Sequence, residues 1–190
     1  MNSRIQGVEI KTNGLMSGAV NFVIDNQLKN RVSWQKAVEV FSTREDSLDE
    51  FWRGEFFGKQ MRGASLICEY SKDQELYEIL TDTVLDLLSR QDELGRFSTY
   101  TVEKEFNGWD MWSRKYVLVG MLHYLRICKD ESLKNRIIEY AVSQIGSERI
   151  LFGTDTYSAA SQGGRIEFSM ISDRDKENIL SGNAKKLFDL

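Results

Sequence analysis

The sequence predicts a mainly helical protein whose central part is built from two similar helical hairpins. Residues 74–91 carry an apolar stripe at helical spacing with acidic residues opposite, which is typical of an amphipathic helix. Proline is absent from all 190 residues, and long uninterrupted helices tolerate that absence better than a loop-rich β protein does. Residues of the two predicted hairpins also match at a constant offset of 57 positions. The matching pairs are Gly63 and Gly120, Lys72 and Lys129, Asp73 and Asp130, Leu76 and Leu133, and Leu80 and Ile137.

The other elements follow from apolar spacing and from turn residues. Apolar residues three, four and seven positions apart predict a helix over residues 34–41. Further helices are predicted over residues 56–70, 110–128 and 132–145, and a short strand around Val8 and Ile10. Repeated hairpins stack so that each covers the apolar face that its neighbour leaves open. Because two hairpins are few for such an array, we expect flanking segments, or a second copy of the chain in a homo-oligomer, to cover its open edges.

Charge and composition exclude several classes of partner. The net charge is −4 and the pI is about 5.2, which gives no general attraction to nucleic acid or to an anionic membrane. No apolar run approaches the roughly 18 residues that a membrane-spanning helix needs. The first residues lack the basic and then apolar pattern of a secretory signal. We therefore expect a cytoplasmic protein with no nucleic-acid and no membrane partner.

The two cysteines, Cys68 and Cys128, both lie inside apolar helical patterns. Free cysteine is among the most frequently buried residue types, which favours two buried free thiols. A disulfide and a shared metal ion are the alternatives, but no CxxC or HxxxH spacing indicates a zinc site. The sequence also lacks the motifs of phosphate-binding loops and serine hydrolases, so it supports neither of those classes.

The character of the chain changes at Gly146. The stretch "ERILFGTD", residues 148–155, is predicted to be a short buried strand that ends in Asp155. A small, polar loop and two terminal helical pieces follow. We therefore divide the chain into a helical-hairpin domain, residues 1–145, and a C-terminal segment, residues 146–190, which we expect to pack against an open edge of the hairpins.

The segments "WRGEFFGK" and "GWDMWSRKY" are the most specific parts of a block, residues 51–141, that resembles a known family. The block is similar to the amino-terminal helical portion of β-L-arabinofuranosidase-type glycoside hydrolases, family 127. The resemblance implies a partial (α/α) toroid of helical hairpins. Catalysis in that family uses a zinc ion held by cysteines and a glutamate, with one cysteine as nucleophile. Those residues come from later parts of the family's chain, so no catalytic residue is carried over to this one.

The segments "ERILFGTD" and "SDRDKENILSGNAKKLFDL" resemble a different family. They are similar to the carboxy-terminal end of amidohydrolase-related metal-dependent hydrolases, which are TIM barrels. The resemblance implies that the tail is a barrel-derived strand followed by helices. Asp155 matches the aspartate that ends the last barrel strand, and residues 182–184, "GNA", match the closing motif. A natural fusion, a deletion product and a misjoined gene model are all consistent with this pairing.

Five residues of the glycosidase-like block are candidates for binding carbohydrate. An aromatic ring packs against the apolar face of a sugar, and a carboxylate accepts hydrogen bonds from its hydroxyls. If the helix ends face the axis of a toroid, these side chains gather in one cleft, where two carboxylates can serve as acid and base. The alternative is that the tryptophans belong to the core and that the acids pair with Arg53, Arg114 or Lys115. The candidates are Trp52, Glu55, Trp109, Asp110 and Trp112.

Asp155 is the candidate metal ligand, because a carboxylate at a strand end is common in barrel enzymes. A catalytic zinc site normally uses three protein ligands, and the matching amidohydrolase site needs several histidines. This chain has one, His123, in the middle of a predicted helix. The alternative is that Asp155 caps a turn or is solvated. A divalent metal such as zinc is therefore only one of two interpretations of this residue.

The leading hypothesis is a glycoside-hydrolase-related, carbohydrate-active protein, truncated and weakly active or inactive alone. The second hypothesis is an amidohydrolase-like metal-dependent hydrolase. The third is a non-catalytic sugar-binding or structural module. The hydrolase ancestry leaves open whether the chain itself is an enzyme.

Overall fold

A computed structural model describes residues 13–46, 53–150, 163–164 and 166–189, and these residues are mainly helical, as the sequence predicts. None of the helices in these ranges combines the length and apolar character needed to cross a bilayer. The helices are α1 (Gly14–Val23), α2 (Arg31–Thr43), α3 (Arg53–Ser71), α4 (Gln74–Ser89), α5 (Asp110–Leu125), α6 (Glu131–Ile145), α7 (Asp173–Glu177) and α8 (Asn183–Phe188). π-Helical turns occupy Ile24–Leu28 and Asn178–Gly182, and 3-10 turns occupy Val102–Lys104 and Ser147–Arg149.

The inward faces of α2 to α6 form the core. Every residue of the apolar stripe predicted for α4 is buried, and Leu133 and Ile137 of α6, which match Leu76 and Leu80 in the repeat, are buried as well. Large apolar side chains from the other helices complete this core: Trp34, Val38, Phe41, Phe57, Met61, Val117 and Met121. The apolar spacing therefore located the sides that α2 and α4 bury.

The two-residue turn before α4 and the longer turn before α6 end in the same capping residue. The Asp73 carboxylate accepts a hydrogen bond from the backbone N–H of Leu76 at 2.8 Å. The Asp130 carboxylate accepts from the N–H groups of Ser132 and Leu133 at 2.9 and 3.3 Å. Aspartate at this position satisfies donors that the first helical turn leaves unpaired. Helices α4 and α6, which match in the 57-residue repeat, therefore begin with the same type of N-terminal cap.

The free energy of unfolding should decrease as the pH falls below about 4. Burial opposes the shift, but the Leu76 N–H and the Lys29 ammonium hold the pKa of Asp73 below its ordinary value of 3.8. The Ser132 hydroxyl and the Leu133 N–H lower the pKa of Asp130 in the same direction. The unfolded chain therefore takes up protons first, so this stabilisation is present above the unfolded pKa and is lost as the pH falls through the folded one. Urea unfolding at about pH 7, 4 and 3 measures the loss.

Asp130→Asn provides the control for this pH dependence. Asparagine keeps an oxygen that can accept the capping hydrogen bonds, but it does not titrate. The variant should lose less stability than the wild type between neutral and acidic pH. If the variant loses as much free energy of unfolding as the wild type over this pH range, Asp130 does not contribute to the pH dependence.

Helices α3 and α5 run in the same direction and approach each other closely at two glycines. A Cβ atom built on Gly58 would lie 2.0 Å from the carbonyl oxygen of Tyr116, and one on Gly120 would lie 2.8 Å from the carbonyl oxygen of Gly58. Near the start of α3, a Cβ on Gly54 would lie 3.0 Å from that of Ser113. Only glycine permits backbones to pack at this distance. We call the contact between Gly58 and residues 116–120 the glycine seam.

The predicted strand over residues 148–155 is not observed where the structure describes it. Gly146 ends α6 with a φ of 75°, and the backbone then turns, with the N–H of Ile150 donating to the carbonyl of Ser147 at 3.1 Å. This 3-10 turn occupies the first residues of the predicted strand, and no strand occurs in the ranges that the structure covers. Residues 151–155 and the strand predicted near the amino terminus lie outside the described residues.

The C-terminal helices are held to the 3-10 turn after α6 by side-chain hydrogen bonds. The Asn183 amide donates to the carbonyl oxygens of Ser147 and Ile150 at 2.7 and 2.8 Å. The Ser147 hydroxyl donates to the Asp175 carboxylate at 2.5 Å. Glu139 of α6 also accepts a hydrogen bond from the N–H of Met170 at 2.7 Å. Asn183, the asparagine of "GNA", therefore connects the last helix to the 3-10 turn at the start of the C-terminal segment.

Candidate functional site

A row of partly exposed aromatic side chains lies on one face at the start of α5. Trp109, Trp112 and Tyr116 are three and four residues apart, a spacing that places side chains on the same side of a helix. The ring centroids of Trp109 and Trp112 are 6.2 Å apart, and those of Trp112 and Tyr116 are 5.3 Å apart, both in edge-to-face geometry. Trp109 is 39% exposed and Trp112 is 40% exposed. We call these three side chains the aromatic ledge.

Two lysines approach the aromatic ledge. The Lys115 Nζ atom lies 3.3 Å from the ring centroid of Trp112 and 4.0 Å from that of Tyr116. The Lys59 Nζ atom, from the neighbouring helix α3, lies 4.9 Å from the Tyr116 centroid. All three distances are those of cation–π contacts, in which the ammonium faces the electron-rich side of the ring. The ledge is therefore bordered by ammonium groups from both helices of the glycine seam.

Glu55 lies on the same side of the molecule as the aromatic ledge. Its carboxylate is 2.5 Å from the Lys59 ammonium, and its side chain is 12% exposed. The ion pair raises the pKa of Lys59 above its ordinary value. Since Lys59 also contacts Tyr116, a series of contacts links Glu55 through Lys59 and Tyr116 to Trp112 and then to Trp109.

Asp110 is next to Trp109 in the sequence, but its side chain points into the protein and is fully buried. It accepts hydrogen bonds from the Ser98 hydroxyl at 2.5 Å and from the N–H of Phe106 at 3.0 Å. The Arg114 guanidinium approaches both carboxylate oxygens, at 3.0 and 2.9 Å. A carboxylate has about four acceptor positions, and these contacts use them. Asp110 therefore fixes the loop before α5 and does not face the ledge.

A buried ionic network supports that loop. The Arg114 Nη2 atom lies 2.8 Å from Glu105 Oε1, and the same carboxylate is 3.6 Å from Arg96 Nη1. Arg96 also contacts Asp92 at 2.6 Å. The two guanidiniums are 3% and 9% exposed, and buried charges of this kind need paired neighbours. The network fixes the long connection between α4 and α5. Trp109, the first residue of the ledge, is at the end of this connection.

The remaining sequence candidates are placed as follows. Trp52 and Asp155 lie outside the described residues. His123 is half-buried, and its Nδ1 atom is 2.9 Å from the carbonyl oxygen of Val119 in the same helix. Arg53 contacts Asp46 of the preceding loop. Of the ion pairs considered from the sequence, the one between Asp110 and Arg114 is present, whereas Glu55 pairs with Lys59.

Tyr116 and Lys59 belong to this surface, but the sequence candidates did not include them. Both were accessible to the same reasoning, because Tyr116 is four residues after Trp112 and Lys59 is four residues after Glu55. Lys115 was considered only as a partner for an acid. Its actual contact with two rings depends on side-chain directions that spacing alone does not give.

Cys68 and Cys128 are free and buried, in agreement with the prediction of two unpaired thiols. Burial raises the pKa of the Cys68 thiol. Within the described ranges, no three His, Cys, Asp or Glu side chains are grouped so that they could hold a metal ion. Comparison with known proteins gives no matching family, no matching curated protein and no matching solved structure.

Proposed function

We propose that the chain is a glycoside-hydrolase-related, carbohydrate-active protein that binds sugar on the aromatic ledge. The observation that supports this most directly is the exposure of Trp109 and Trp112 beside Tyr116 and the Glu55–Lys59 pair. Exposed aromatic rings offer flat apolar surface for the C–H face of a sugar. The neighbouring charged groups supply the few polar contacts that orient a ligand.

The arrangement favours binding over cleavage in the described part of the chain. Glycoside hydrolysis ordinarily requires two carboxyl groups on opposite sides of the scissile bond. Glu55 is near the ledge, but both oxygens of Asp110 are engaged inside the protein. We therefore propose a protein that is weakly active or inactive alone, with the ledge as its sugar-binding surface.

The proposed architecture is a partial (α/α) toroid followed by a barrel-derived tail, with the boundary near Gly146. Two observations support the first part. Helices α3 and α5 are parallel, as successive inner helices of stacked hairpins are, and α4 and α6 begin with equivalent caps at Asp73 and Asp130. Open edges of such an array would be covered in a homo-oligomer.

Replacing Trp112 with alanine should weaken carbohydrate binding about tenfold, because it removes the central ring of the ledge. A glycan array identifies the ligands of the wild-type protein, and calorimetric titration then compares the dissociation constants of the two proteins. Trp112 is 40% exposed, so the variant should keep its helical content.

Phe22→Ala is the matched control, since Phe22 is a 60% exposed aromatic residue on α1 and is not part of the ledge. It should bind sugar as the wild type does. Failure of the wild-type protein to bind any glycan, or equal binding by the Trp112 variant, would refute the proposed function.

A further inference from the structure

We propose that the aromatic ledge selects acidic sugars, and that the Lys115 ammonium recognises the carboxylate of a uronic acid. This inference rests on the proposed function and specifies its ligand class. It starts from the difference between the two lysines at the ledge. Lys59 is neutralised by Glu55 at 2.5 Å, whereas the contacts of Lys115 with described residues are those with the rings of Trp112 and Tyr116.

Lys115 is exposed, and among the described residues no carboxylate lies within ion-pair distance of it. The Lys59–Glu55 pair contributes no net charge, so Lys115 supplies the positive charge in direct contact with the rings of the ledge. A ligand complementary to this surface has an apolar face and one negative group close to it. A pyranose ring carrying a carboxylate has both features.

The position of Lys115 also discriminates against neutral sugars. At 3.3 Å from the Trp112 centroid, the ammonium covers one face of the indole. A sugar that stacks on that face must displace the ammonium and break its cation–π contact. A neutral sugar offers no replacement for this contact. The carboxylate of a uronic acid replaces it, because the displaced ammonium forms an ion pair with the carboxylate while the sugar ring stacks on the indole.

The test uses uronic acid oligosaccharides, each beside its methyl ester, which has the same rings without the charge. Calorimetric titration of the full chain should show about tenfold tighter binding of the acids than of their esters. Lys115→Met keeps much of the apolar stem and removes the ammonium, and it should reduce that preference to about one. Lys36→Met is the matched control, because Lys36 is an exposed lysine of α2 away from the ledge, and it should keep the preference.

The outcomes separate this inference from the function on which it rests. Equal affinity for acids and esters in the wild type, or a preserved preference in Lys115→Met, would overturn the acidic-sugar inference and leave sugar binding intact. Absence of binding to any acid, ester or neutral glycan would overturn both. An acidic peptide, such as a glutamate oligomer, that binds as tightly as the uronic acids would show recognition of charge alone and would also overturn the inference.

Discussion

Gly58→Ala should lower the free energy of unfolding by about 3 kcal/mol or more, or prevent cooperative folding altogether. The added Cβ would lie 2.0 Å from the carbonyl oxygen of Tyr116 and 2.7 Å from the backbone nitrogen of Val117. These neighbours are backbone atoms, so no side chain can rotate away to make room. Helices α3 and α5 would have to separate, which would expose apolar surface around Phe57 and Met61. Urea unfolding followed by circular dichroism measures the change.

Gly63→Ala is the matched control for this prediction, because it makes the same substitution in the same helix. A Cβ at Gly63 meets nothing within 4 Å. Alanine is a better helix former than glycine, so this variant should gain about 0.5–1 kcal/mol. If the free energy of unfolding changes in the same direction and by a similar amount in both variants, α3 and α5 do not approach each other as closely as described.

Asp110→Asn should destabilise the protein by about 2–4 kcal/mol, the second largest effect that we expect. The substitution changes one atom of a fully buried carboxylate. It leaves the Arg114 guanidinium with less negative charge. It also directs an NH₂ group toward existing donors, either Ser98 and Arg114 Nε or Phe106 and Arg114 Nη2. Thermal and urea unfolding measure the loss. The aromatic ledge should also become less ordered, because Trp109 stands at the end of the loop that Asp110 fixes. Tryptophan fluorescence should report that change.

Asp82→Asn provides the comparison for an exposed ion pair. Asp82 contacts Arg31 at 2.9 Å, with side-chain exposures of 65% and 52%. Exposed pairs of this kind contribute little, so the change should be within about 0.5 kcal/mol. If Asp110→Asn and Asp82→Asn lower the free energy of unfolding equally, the Asp110 network does not stabilise the protein as proposed.

The helices could be predicted from the sequence because their signals are local. The apolar stripe of residues 74–91 matches the buried face of α4, and aspartates precede the starts of α4 and α6, where they cap the first turn. Gly146 marked the end of α6 and has the positive φ that glycine adopts readily. Each of these features depends on residues within one or two helical turns.

The packing partners could not be predicted in the same way. The repeat pairs Gly63 with Gly120, yet it is Gly58 that meets Gly120 across the seam. Sequence similarity between hairpins identifies equivalent positions, whereas contact depends on the register of two helices. The strand predicted over residues 148–155 illustrates the same limit, because so short an apolar pattern does not separate a strand from the 3-10 turn found at Ser147–Arg149.

The sugar-binding role of the candidate residues stays a prediction, but their positions can be compared with the sequence pattern. Trp109 and Trp112 are exposed side by side, as their spacing of three residues indicates. The burial of Asp110 depends on Ser98 and Phe106, which lie in a loop without periodicity. Only its partner Arg114, four residues later in α5, follows from helical spacing.

The glycine seam also constrains the order of events during synthesis on the ribosome. Gly58 packs against residues that lie about 60 positions later in the chain. At elongation rates of roughly 5–20 residues per second, α5 emerges about 3 to 12 seconds after α3. During that interval the nascent α3 has α2 and α4 to pack against, but its glycine surface has no partner. The protein therefore completes its closest helix contact late, after the first hairpin has already been made.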